Sequence, residues 1–64
     1  MEESDITIGT EVYFYVNAEG TDEQFSGMGT VTDISTDGYG MNVYIVQEGR
    51  ATHTLDWTNL TGIV

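Results

Sequence analysis

Apolar and polar residues alternate with a period of two along most of this chain. In the run EVYFYV, Glu11 to Val16, Val12, Phe14 and Val16 share one side and Tyr13 and Tyr15 the other. That is the spacing of a half-buried strand. A second strand is predicted from Met28 to Ile34, where Val31 and Ile34 fall out of phase by one residue, as at a bulge or a strand end. A third, Met41 to Gln47, sets Met41, Val43 and Ile45 against Tyr44 and Val46. The fourth, Arg50 to Leu55, alternates Ala51, His53 and Leu55 with Thr52 and Thr54, and Gly62 to Val64 forms a short last strand. No window repeats apolar residues at i, i+3 and i+4 long enough to predict a long helix. The inward set expected from this phase is Val12, Phe14, Val31, Val43, Ile45, Leu55 and Leu60.

The connections carry turn chemistry. Asn17 to Ser26 is predicted as a polar loop, with Gly20 as its turn and Phe25 as its one apolar anchor. Ser35 to Gly40 and Glu48-Gly49 read as tight hairpin turns. Asp56 to Leu60 reads as a single 3₁₀ turn that Asp56 caps. Residues 1–5 are predicted to be a disordered acidic tail, and residues 6–64 one domain. A small sheet with water on both faces leaves raw edges, which curling toward closure removes. The fold class expected is therefore all-β, a small five-stranded, partly open barrel with a single 3₁₀ turn before its last strand.

This order of elements resembles the SH3-like small β-barrels over residues 8 to 64. The resemblance rests on Gly9 before the first strand, a long polar loop, Gly29-Thr30-Val31 opening the second strand, a tight hairpin, the 3₁₀ turn and a short closing strand. Two branches look most similar. One is the acceptor-side subunit IV of photosystem I with the variable chain of ferredoxin–thioredoxin reductase, where a G-T-V also follows the first long loop. The other is the KOW and Tudor-like group. The Glu48-Gly49 turn is shorter than the corresponding loop of the photosystem subunit, and VYFYV stands where eukaryotic SH3 domains carry ALYDY. The resemblance implies an SH3-like fold and the habit of binding other proteins, and no specific activity.

Charge narrows the partners. The 64 residues hold 11 carboxylates against a single Arg, Arg50, and no Lys, for a net charge of −10. So acidic a surface repels phosphate backbones and acidic lipids and favours a basic protein partner, though acidity also serves solubility by itself. A chain of this size buries only about 60% of its unfolded surface, and with no Cys it has neither disulfides nor thiolate metal sites to compensate. The acidic start lacks the pattern of a signal peptide, no apolar run is long enough to span a bilayer, and a cytoplasmic location is expected. The small size and the lack of a catalytic set fit a phage-encoded or small-operon product.

Candidate chemistry is sparse. Asp33, Ser35, Asp37 and Gly38 match positions 1, 3, 5 and 6 of a calcium loop, but position 12 is Tyr44, which cannot supply the bidentate ligand. A hairpin turn explains the same residues. Gly27-Met28-Gly29 and Gly38-Tyr39-Gly40 lack the third Gly and the following helix of a dinucleotide fingerprint. His53, the single His, shares a face with Ala51 and Leu55 and reads as a half-buried structural residue. Paired acids such as Asp22-Glu23 lie in a loop without the rigid placement that acid–base catalysis needs. The chain is therefore expected to be non-enzymatic, without cofactor or metal. The tyrosines and Trp57 exceed what a small core requires, so several should lie outside and serve an interface. Trp57 plugging one end of the barrel is the competing role. The expected protein-binding set is Tyr13, Tyr15, Glu19, Asp22, Glu23, Tyr44 and Trp57, facing a Lys- or Arg-bearing partner, with no direct nucleic-acid or membrane contact and with the chain a monomer or homodimer. Two alternatives are a nucleic-acid mimic that inhibits a DNA-binding enzyme, since seven of the 11 acids lie in the first 23 residues, and a small calcium-binding domain.

Overall fold

The computed structural model describes residues 1–17, 20 and 22–64. Five antiparallel strands form one sheet: β1 (Glu11–Asn17), β2 (Gln24–Thr36), β3 (Asn42–Glu48), β4 (Ala51–Leu55) and β5 (Leu60–Ile63), in the spatial order β4-β3-β2-β1-β5. The all-β class, the five strands and the 3₁₀ turn before the last one (Trp57–Asn59) are as the alternation predicts. The sheet does not close, and both β4 and β5 remain as edges. A second 3₁₀ turn, Glu3–Asp5, stands where a disordered tail is expected. Ile6 behind it is buried, and Glu3 Oε2 accepts from Asn42 Nδ2.

β2 is the element that shapes the sheet. It begins at Gln24, so Phe25 and Ser26, expected in a loop, belong to a strand. Gln24 to Thr30 pair with β1 and Thr30 to Thr36 with β3. Of the two readings of the phase slip, the bulge is the one observed: the register against β3 shifts between Val31 and Asp33. Two glycines let the first half of β2 turn beneath β3. A Cβ on Gly29 would lie 2.6 Å from Gln47 O and 2.7 Å from Val46 Cγ1. One on Gly27 would collide with the Glu48 carboxylate and come within 2.8 Å of Phe14 Cζ. The resulting curl brings Phe14 of β1 and His53 of β4 to a ring-centroid distance of 4.8 Å, although their strands are not neighbours in the sheet.

The core consists of Ile6, Val12, Phe14, Val31, Tyr44, Val46, Leu55 and Leu60. β3 therefore runs in the opposite phase to that expected: Tyr44 and Val46 point inward, while Val43 and Ile45 lie on the outer face, half-buried. Four consecutive apolar residues, Val43 to Val46, make the alternation ambiguous in the sequence. Pairing resolves it, because Tyr44 stands opposite Ile34 and Leu55, and Val46 opposite Val31 and His53. Burial of a phenol requires a partner for its hydroxyl, and Asn42 Nδ2 donates to Tyr44 Oη at 3.3 Å.

The Ser35 to Gly40 turn is a hairpin turn, as expected. In Asp37 to Met41, the Asp37 N–H donates to Met41 O and the Gly40 N–H to Asp37 O. It is Gly40, with φ 80°, and not Gly38 that takes the left-handed conformation, as in a three-residue hairpin loop that ends in a bulge.

Candidate functional site

Among the described residues, no layer covers the outer face of β1, β2 and β5. Register sets Tyr13 of β1 between Met28 of β2 and Gly62 of β5, and Tyr15 beside Ser26. A Cβ on Gly62 would make ordinary van der Waals contact with Tyr13 Cδ2, at 3.7 Å. Tyr13 is 47% and Met28 49% exposed, which makes them a cross-strand apolar pair in water. Such pairs contribute to sheet stability, and an exposed aromatic beside a flexible thioether also suits protein contact. Exposed Glu11 lies one alternation along β1 from Tyr13, and Asp22 and Glu23 directly precede β2.

Only part of the expected binding set comes together here. Tyr13 is exposed and Tyr15 half-buried, with Asn59 Nδ2 bonded to the Tyr15 carbonyl at 2.9 Å. Asp22 and Glu23 are exposed, and Glu19 lies outside the described residues. Tyr44, 1% exposed, is a core residue and has no surface to offer. Trp57 is half-buried and packed against the core, with its ring centroid 6.3 Å from that of Tyr44. Its turn is held by Asp56, whose Oδ1 accepts from Thr58 N at 2.9 Å. Met28 carries no signal in the sequence, because a Met on a strand next to Gly27 and Gly29 gains its meaning only when β1 pairs with it. Tyr39, 94% exposed, stands at the turn after the far end of β2, away from Tyr13.

The sheet has a second distinctive feature where β2 and β3 part. Glu48, at the end of β3, aims its carboxylate into the gap: Oε2 accepts from the Met28 N–H at 3.3 Å, and Oε1 lies 3.3 Å from His53 Nε2. Glu48 thus ties β2, β3 and β4 together, and His53 is held by this contact and by the Phe14 ring.

Of the residues in the calcium pattern, Asp37 holds the hairpin turn, while Asp33 bonds within β2. Asp37 Oδ1 accepts from Tyr39 N at 2.7 Å and Met41 N at 3.0 Å, and Asp33 Oδ1 from Ile34 N at 2.9 Å. Among the described residues no three His, Asp or Glu side chains gather in a group able to hold a metal ion. Asp37→Ala is expected to remove both turn bonds and to cost about 1 kcal/mol, a fall in Tm of roughly 4–8 °C for a domain of this size. Thermal unfolding followed by circular dichroism checks this.

No helix among the described residues is long and apolar enough to cross a membrane. No protein-family model, no curated protein and no solved structure matches the chain.

Proposed function

We propose that this chain is a non-enzymatic, SH3-like binding module that docks through the outer face of β1 and β2 on a protein with a basic surface. The observation that carries the proposal is the exposed Tyr13 and Met28 pair on a sheet face that no described residue covers, with Glu11 one alternation from Tyr13 and Asp22 and Glu23 at the start of β2. Tyr13 and Met28 provide apolar area. The carboxylates select Lys and Arg, by charge pairing and by cation–π contact with the phenol ring. The meander of β1 to β4, with the last strand returning beside β1 after a 3₁₀ turn, supports the SH3-like assignment.

The layout of the acids supports docking over mimicry of a nucleic acid. Glu3 contacts Asn42, which pairs with Thr36 at the far end of β2, whereas Asp22 and Glu23 precede its first residue. A mimic needs a continuous ridge of charge, and these carboxylates are divided between the two ends of β2.

Tyr13→Ala is expected to reduce recovery of a basic partner roughly tenfold in an affinity capture, the size of one interface hot spot, and to leave Tm within a few degrees of wild type. Recovery equal to wild type in Tyr13→Ala and in Met28→Ala counts against this face.

A further inference from the structure

We propose that the first half of β2 is an open strand edge that accepts an extended, Lys- or Arg-bearing segment of the partner as an added strand. The inference rests on the basic partner proposed above and adds the place and mode of its binding. Along an antiparallel strand, alternate residues point their backbone groups to opposite sides. Val31 fixes the side: its N–H donates to Thr10 O, and its carbonyl accepts from Gly9 N, on the β1 side. The β1 register is unbroken from Thr30 back to Gln24. Gln24, Ser26 and Met28 therefore turn N–H and C=O away from β1. β3 runs beside β2 only from Thr30 onward, so among the described residues no strand lies along this side of Gln24 to Met28.

The Met28 N–H shows what the edge requires. Its acceptor is a Glu48 carboxylate oxygen, in the position where the carbonyl of a neighbouring strand would stand. Gln24 and Ser26, two and one alternations further out, are exposed. Phe25, 55% exposed, shares the inner face with Val16 and offers an apolar contact to an incoming side chain.

Charge chooses the occupant and the edge. Asp22 and Glu23 stand at one end of this stretch and Glu48 at the other. The β4 edge starts beside Arg50, the only Arg or Lys of the chain, and Leu60 to Val64 along β5 include no carboxylate. A second copy of this chain would bring −10 against −10, which opposes pairing of two such edges. Main-chain hydrogen bonds would give affinity, and the flanking carboxylates would select cationic side chains.

The test uses the ¹⁵N-labelled full chain and the synthetic peptide (Lys-Val)₄-Lys at low salt. Saturable binding is expected, with exchange of the Ser26 amide slowed roughly tenfold and the matching Glu-Val peptide inert. Ser26→Pro removes the outward donor, at an edge position where proline is tolerated, and should weaken binding about tenfold. Ser26→Ala, which keeps the N–H, should bind as wild type. No binding, an unprotected Ser26 amide in the saturated wild-type complex, or wild-type affinity in a folded Ser26→Pro overturns the edge. Ser26 protection that rises with protein concentration without peptide overturns it in favour of self-pairing. Binding that Tyr13→Ala abolishes and Ser26→Pro does not overturns the edge while leaving the outer-face proposal intact. Failure of partner capture through Tyr13 with Ser26 protection intact does the reverse. If Ser26→Pro does not fold, the wild-type exchange result decides.

Discussion

Gly29→Ala is expected to destabilise the fold by about 3 kcal/mol or more, the upper end of what an added methyl costs in a packed interior. The added carbon would lie 2.6 Å from a backbone oxygen of β3 and 2.7 Å from Val46 Cγ1. Neither is the free end of a flexible side chain, so β2 and β3 must separate. A chain of 64 residues has a total stability of roughly 3–10 kcal/mol, and the variant should be largely unfolded or lose about 12 °C or more in Tm. Gly38→Ala is the control. Nothing lies within 4 Å of its Cβ and its φ is not positive, so it should be neutral or slightly stabilising. Urea unfolding of the two variants side by side measures the contrast. Equal stabilities would mean that the close approach of β3 to β2 is not what holds the curl.

The second large effect belongs to Tyr44. Truncating this fully buried ring in Tyr44→Ala should cost about 3–5 kcal/mol, as for other buried aromatics. It removes the packing on Leu55, Ile34 and the Trp57 ring together. Tyr44→Phe keeps the ring and loses only the hydroxyl that accepts from Asn42, at about 1 kcal/mol. Tyr13→Ala, at a half-exposed position, should cost no more than that. A Tyr44→Ala variant as stable as Tyr13→Ala would place β3 in the phase the bare sequence suggests, with Val43 and Ile45 inward.

These two residues mark where legibility stops. In β1 only one alternation is available, because Val12, Phe14 and Val16 are separated by Tyr13 and Tyr15, and both the strand and its inward side followed correctly. In β3 the run Val43 to Val46 fits either phase. The bulge was visible as the phase slip between Val31 and Ile34. Its consequence for which β3 residues turn inward depends on pairing, which no local pattern encodes. The same limit governs the candidate site. Tyr13 reads as outward from its own strand, whereas Met28 becomes its neighbour only through the β1–β2 register. Tyr44 carried the composition of an interface residue, and Asn42, by satisfying its hydroxyl, allowed it into the core.

The sequence by itself determined the all-β class, the number of strands, the phase slip in the second strand, the capped turn before the last strand and the strongly acidic surface. Each of these follows from side-chain period, turn-forming residues or simple counting, which act over a few neighbours. Tertiary structure alone decided that β2 is shared between two partners, that β3 turns Tyr44 inward, and that Glu48 reaches the Met28 amide across the gap. Those outcomes depend on contacts between residues some ten or more positions apart, such as Gly29 with Val46 or Phe14 with His53, and on which strands meet after the glycines let the sheet curl.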